Sequence, residues 1–207
     1  MPRLKESEKD KVMKETRTLL LRAATEEFAK EGYNGANINQ ISIHAGFAKG
    51  TIYNYFNSKR SLMLDLIDEI AAEHVEFIDR SVMQVDDPSQ RVDIFFTAGF
   101  QWVTDNLSQG QVLFTTLNGP DIEFKTRMFA AYQPMFKLVT EKILATGIDQ
   151  GKFRPMDPIT TANLLMNIYL GTGSQVNEKG KQWIPAEQVS EFVLRSLQAG
   201  LPDERID

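Results

Sequence analysis

Residues 46–56 read "GFAKGTIYNYF", and the folding of this run decides how the rest of the chain is understood. Two glycines enclose a lysine, and two tyrosines follow within a few positions, in a chain whose net charge is −5. Immediately upstream, "NINQISIHA" (37–45) places Ile38, Ile41 and Ala45 on one face at helical spacing. Asn37 is a good N-cap, and Gln40 three residues later completes a capping-box pattern. Gly46 ends that helix after about two turns. A third helix is expected over 46–56, with Ile52 and Phe56 turned inward. Helix, tight glycine turn, helix is the pattern that reads DNA through the major groove. Gly50 is a poor helix former, costing roughly 1 kcal/mol relative to Ala, yet near a helix start it lets another backbone approach closely. Around it, Lys49, Thr51, Tyr53, Asn54 and Tyr55 offer donors with the reach of phosphates and base edges. A glycine-bounded short helix also occurs in many small helical domains, so spacing alone leaves an ordinary structural turn open.

The flanking segments are helical too. In "KVMKETRTLLLRAATEEFAKEGY", Val12, Leu20, Ala24 and Phe28 fall at helical spacing with Leu19 and Ala23 beside them, and Gly32 supplies a terminating left-handed residue. Ser58 is a plausible cap for a long fourth helix whose buried side is marked by Leu62, Leu66, Ile70 and Phe77. Further helices are expected at about 89–106, 109–117 and 121–146, the last kinked by Pro134. A Gly/Pro-rich connector, "GIDQGKFRPMDP", leads to "ITTANLLMNIYLG", a polar loop, and a final helix over about 185–199. No 20–50-residue repeat and no alternating run long enough for a sheet is present. The fold class is all-α.

Composition narrows the function. The 207 residues contain no cysteine, which excludes disulfides and thiolate metal sites and suits a reducing cytoplasm. His44 and His74 are too far apart to form a familiar zinc spacing, so neither metal nor cofactor is expected. No run of about 18 uncharged apolar residues predicts a membrane span, and the charged N-terminus lacks the apolar core of a signal peptide. A cytoplasmic location is expected. Residues 1–60 carry a balance of +4 and residues 61–207 one of −9. A basic end on an acidic body suits the approach of that end to a polyanion, and chance scatter of surface charge gives the same count.

The stretch "GYNGANINQISIHAGFAKGTIYNYFNSKRSL" (32–62) resembles the TetR family of transcriptional repressors, with an AcrR-like N-terminal helix-turn-helix. It follows that family's run of Gly-Tyr, Ile-Ala, Ala-Gly-Val-Ser-Lys-Gly-Thr-Leu-Tyr, Tyr-Phe and Ser-Lys without gaps. The resemblance implies a three-helix DNA-binding unit within 12–74, its helix-turn-helix at 37–56, and a ligand-binding, dimerising helical domain over 75–200. It places Lys49, Gly50, Thr51, Tyr53 and Tyr55 where the family meets operator bases and phosphates, and makes Asn54 a candidate for sequence choice. Asn37 and Asn39 match backbone-touching positions, and Lys59 matches a phosphate-gripping lysine. Three departures stand out. Ala48 replaces a capping Ser or Thr, worth about 1 kcal/mol. Ala36–Asn37 replace Thr–Thr, and Arg60 replaces an acidic residue, adding a cation near the DNA. The implied partners are a palindromic double-stranded operator, a small hydrophobic effector, and a second copy of the chain joined through the last two helices.

Residues 91–136 hold nine aromatics, which read as core for the most part. Because family members bind apolar effectors in this domain, an effector pocket is placed at Phe96, Phe100, Phe114, Met128, Tyr132 and Asn167. On the last two helices, Leu164, Leu165 and Ile168, and Val189, Phe192, Val193 and Leu197, form narrow apolar faces. An effector-independent structural or division-linked DNA-binding factor is the alternative function. An all-α enzyme is disfavoured because no nucleophile–base pair is evident, and the carboxylates Asp65, Asp68, Glu69, Glu73 and Glu76 read as a solvated helix face.

Overall fold

Ten α-helices, a one-turn 3-10 helix and a π-helical segment make up the computed structural model, which describes residues 6–173, 175–177 and 181–198. Helix α1 (Glu6–Gly35) bends at Gly32, whose φ of +67° is open to glycine. Leu20, Ala24 and Phe28 bury as their spacing predicts, whereas Val12 and Leu19 remain exposed. The apolar stripe is thus used only in the second half of α1. Helix α2 (Ile38–His44) starts at Asn37, whose side chain accepts the Asn39 N–H. The expected reciprocal bond from Gln40 is replaced: the Asn37 N–H donates to Glu27 Oε1 at 3.0 Å. A nearly buried carboxylate ten residues upstream outcompetes the local partner.

The expected third helix is a single 3-10 turn, Thr51–Asn54. Gly46 and Gly50 both lie in the left-handed region (φ +85° and +86°), and Phe56 must return to the core. Only four residues remain for the helical turn. Helix α3 (Lys59–Val82) opens with Ser58 and Ser61 exchanging N–H···Oγ bonds of 3.0 Å in both directions, which supports Ser58 as the cap.

Helices α4 (Pro88–Asp105) and α5 (Leu107–Asn118) follow close to their expected bounds. Asp87 caps α4 by accepting from the Ser89 and Gln90 amides, and Pro88 occupies the first turn, where its missing N–H costs nothing. The expected continuous helix over 121–146 is instead α6 (Ile122–Ala131), α7 (Gln133–Lys137), a π segment (Leu138–Ala145) and α8 (Thr146–Asp149). Pro134 does not kink a helix interior; it sits in the first turn of α7, after a break at Tyr132. Helices α9 (Pro158–Gly173) and α10 (Ala186–Leu197) complete the chain.

Two units divide these elements. The first comprises residues up to Ile70 with Gln111–Met128, the second Ala71–Gly110 with the residues from Phe129 on, so the division falls inside α3. In the first unit, Leu20, Phe28, Ile41, Ile52, Phe56, Leu62 and Leu66 form a core. Arg17 reaches from α1 to Asp65 (3.0 Å) and lies over the Phe56 ring. In the second unit, Val189, Val193 and Leu197 of α10 are buried, and Ser190 Oγ donates to Asp93 of α4 at 2.6 Å. The buried Arg91 donates to the carbonyls of Val85 and, in the π segment, Lys142. The expected apolar faces of the last two helices split. Leu165, Val189, Val193 and Leu197 point into the unit, while Leu164 and Phe192 are 60% and 66% exposed. Among the described residues no helix is long and apolar enough to cross a membrane.

Candidate functional site

The turn at 51–54 is held from beneath and open above. Ile52 is fully buried, and its N–H donates to the buried Ser42 Oγ of α2 at 3.1 Å. Phe56 anchors the exit of the turn in the same core. Between these anchors Tyr53 is 51% exposed, Asn54 and Lys49 are exposed, and Gly50, Thr51 and Tyr55 are half-buried. Gly50, left-handed and with nothing within 4 Å of an added Cβ except the Tyr53 ring at 4.0 Å, gives a backbone surface free of side-chain bulk. One N-terminal unit therefore presents a lysine, a threonine, an asparagine and two tyrosines on a fixed scaffold. Such a surface can take phosphate oxygens and base edges.

Asn37 is exposed and Asn39 half-buried at the start of α2. Asn37 Oδ1 is already engaged by the Asn39 amide, which leaves the Asn37 side-chain NH₂ for an outside acceptor. The Lys59 ammonium donates to the Asn34 and Ala36 carbonyls (3.1 and 2.8 Å) and lies 5.0 Å from the Tyr33 ring centre. Its position is set by the end of α1, and a third N–H remains. Arg60 does not face outward as a spare cation. Its guanidinium forms a two-pronged pair with Asp121 (3.0 and 3.1 Å) and a 2.6 Å bond to Glu123. Those two carboxylates hold the Arg60 pKa above its ordinary value. Arg127 is likewise paired with Asp68.

In the second unit the aromatics expected to line an effector pocket converge in part. Phe96 and Phe100 pack around Tyr169, with ring centres at 6.1 and 5.9 Å. Tyr132 and Tyr169 hold His74 between them: Nδ1···Oη is 2.9 Å to Tyr132 and Nε2···Oη is 2.7 Å to Tyr169. The imidazole is 2% exposed and stacks on Trp102 at 4.0 Å. Burial lowers the His74 pKa to about 3, so the ring is neutral, donating to one tyrosine and accepting from the other. Tyr169 fits only because residue 99 is glycine, where an added Cβ would stand 2.1 Å from Oη. Phe114 and Asn167 are exposed, and Phe114 and Met128 belong to the first unit.

His74, Tyr169 and Gly99 are the residues the sequence reading missed. A signal existed: Ile67, Ala71, His74 and Ile78 follow one another at helical spacing, so the histidine sits in a buried stripe. Among the described residues no three His, Cys, Asp or Glu side chains gather as metal ligands.

Residues 20–66 match the family model described as "Bacterial regulatory proteins, tetR family". The chain is 21% identical over 177 residues to the fatty acid metabolism regulator protein of Bacillus subtilis, covering 86% of this chain and 88% of that one. It is 26% identical over 157 residues to the transcriptional repressor AcnR of Corynebacterium efficiens, covering 73% and 76%. Its fold matches the crystal structure of the transcriptional regulator FadR from Bacillus subtilis, solved in complex with stearoyl-CoA, with a TM-score of 0.76. That match has 20% identity and spans 89% of this chain and 99% of FadR. The gap-free motif, the all-helical architecture and these relatives agree: residues 20–66 match the tetR family of bacterial regulatory proteins, and the chain is a DNA-binding transcriptional regulator, not an enzyme.

Proposed function

We propose that this regulator is a cytoplasmic homodimeric repressor that leaves a palindromic operator when a small hydrophobic effector binds. Operator contacts are assigned to Asn37 and Asn39 at the start of α2, to Lys49, Gly50, Thr51, Tyr53, Asn54 and Tyr55 in and around the 3-10 turn, and to Lys59. The observation that carries this is the turn itself. Ile52 and Ser42 pin it from below, while Tyr53, Asn54 and Lys49 stay at the surface. Ile159, Leu164 and Phe192 leave apolar surface exposed on α9 and α10, as expected of helices that pair with their symmetry mates. Such a dimer presents two turns to half-sites about one helical repeat, roughly 34 Å, apart or a multiple of it.

The effector class follows from the relatives. A regulator of fatty acid metabolism and a FadR solved with stearoyl-CoA point to an acyl chain, and the aromatic wall of Phe96, Phe100 and Tyr132 suits one. Such a ligand acts only through different affinities for operator-competent and incompetent shapes. Helix α3 runs from the turn's unit into the second and gives the two a continuous backbone. The test is a fluorescence-anisotropy titration of the protein with its own upstream DNA, at two salt concentrations, with and without stearoyl-CoA. Preference for that DNA over an unrelated duplex, lost on adding the ligand, is expected. Equal binding to both duplexes refutes operator recognition. Retained preference in saturating ligand refutes the acyl effector alone.

A further inference from the structure

The first unit contains a half-open cleft of about 530 Å³ between the C-terminal end of α1 and the loop joining α5 to α6. Its volume lies within the range of small-molecule sites. Phe28, Met63 and Phe124, all buried, make the floor, and the Tyr33 ring meets Phe124 edge to face at 4.8 Å. The polar lining is one-sided in charge. Two carboxylates, Glu31 and Asp121, stand on it with the hydroxyls of Thr115 and Thr116, and no lysine or arginine does. Both threonine hydroxyls donate to backbone carbonyls of α5, so toward the cleft they present lone pairs.

We propose that this cleft is a second ligand site, distinct from the acyl-effector site, and that it takes a compact aromatic cation such as an arylalkyl amine. Each neighbouring cation is already engaged, with Lys59 over the Tyr33 ring at 5.0 Å and Arg60 over the Phe124 ring at 4.7 Å. Arg60 is tied to Asp121 and Glu123, and Lys59 is turned onto the Asn34 and Ala36 carbonyls. Lys30 pairs with Glu31 through one carboxylate oxygen at 2.8 Å, an exposed pair of the kind that exchanges readily. The aromatic part of the ligand covers the Phe28–Phe124 floor, and its ammonium reaches the Glu31 carboxylate. An acyl-CoA has no place here, because its phosphates would meet carboxylates.

The position gives the site a consequence. Gly32, the bend in α1, lines the cleft, and Glu27 one turn earlier fixes Asn37 at the start of α2. A ligand wedged against this bend therefore bears on the segment that presents the operator-facing residues.

The experiment is calorimetric titration of the full-length protein, without DNA, with 1-naphthylmethylammonium and with 1-naphthoate, two probes of similar shape and opposite charge. The cation is expected to bind about tenfold or more tightly than the anion. Glu31→Gln should remove most of that preference. Thr115→Phe, at the exposed mouth of the cleft, should weaken the cation about tenfold with the melting temperature kept. Equal binding of both probes, or a cation affinity that neither variant changes, overturns the proposal. Neither readout involves operator DNA or acyl ligands, so its outcome is separate from that of the repressor assignment.

Discussion

Ser42→Ala is expected to weaken operator binding although Ser42 is fully buried and can touch no DNA. Its Oγ accepts the Ile52 N–H at 3.1 Å, the bond that ties the turn proposed to meet the operator to α2. Alanine removes one oxygen and leaves a buried amide without its acceptor, at a cost of about 1–3 kcal/mol. A protein of this size loses roughly 2–4 °C of melting temperature for each kcal/mol. The effect on DNA binding is bounded by the same energy. Only molecules whose turn keeps its native geometry bind normally, so the apparent Kd rises with the fraction lost. The ceiling is about 5-fold for 1 kcal/mol and about 150-fold for 3 kcal/mol. Thermal melting and operator anisotropy on the same preparation measure both quantities, and hydrogen exchange at the Ile52 amide locates the change. If melting temperature, exchange and operator Kd all match wild type, the turn is not held through Ser42. A Kd loss far above the measured destabilisation would mean that the substitution acts at a contact and not through support.

Lys49→Ala should lower the slope of log K against log salt by about 0.9 in magnitude, as expected for one phosphate contact. Tyr53→Phe should weaken binding with the slope unchanged, and unaltered slopes and affinities in both would remove these residues from the operator. Gly99→Ala should destabilise by about 1–3 kcal/mol, since its Cβ would stand 2.1 Å from the Tyr169 hydroxyl; a wild-type melting curve would contradict the packing described. The neutral His74 gives stability a defined pH dependence. Its folded pKa, about 3, lies below the ordinary 6.5, so between these values the unfolded chain binds the extra proton. Stability should rise with pH through this window by up to about 1.4 kcal/mol per unit and be unaffected by this group above it. Asp87, Asp121 and Asp157, all shifted below 3.8, contribute only at the acid end. Denaturant melts of wild type and His74→Gln from pH 4.5 to 7.5 should differ in slope, and parallel curves would refute the assignment.

The first unit was legible wherever the determining contact is local. Asn37 as a cap, the ends of α2 and α3, and the inward Ile52 and Phe56 all follow from spacing within a few residues. Two misreadings share a cause: a partner distant in sequence. Glu27 displaces Gln40 from the capping position across ten residues. Arg60 counted as a cation for DNA until Asp121 and Glu123, some sixty residues on, claimed it. The third helix became one 3-10 turn for a different reason. Helix propensity says little once two left-handed glycines and a buried phenylalanine have fixed where the backbone enters and leaves.

The second unit shows the converse. Its aromatic runs identify helices that are buried, but identical apolar patterns fit a core, an effector wall or a dimer face, and so Leu164 and Leu165 could not be told apart before their exposure was known. What distinguishes them is a polar exception. A neutral imidazole buried on α3 needs one donor and one acceptor, and nothing near it in sequence supplies either. Tyr132 and Tyr169 do, from 58 and 95 residues away, and Tyr169 reaches it only across the missing side chain of Gly99. Phe96 and Phe100 then pack where Tyr169 leaves room. The position of the aromatic wall proposed to receive an acyl chain thus depends on His74 more than on the aromatics themselves, because a hydrophobic ring tolerates many neighbours and a buried imidazole very few.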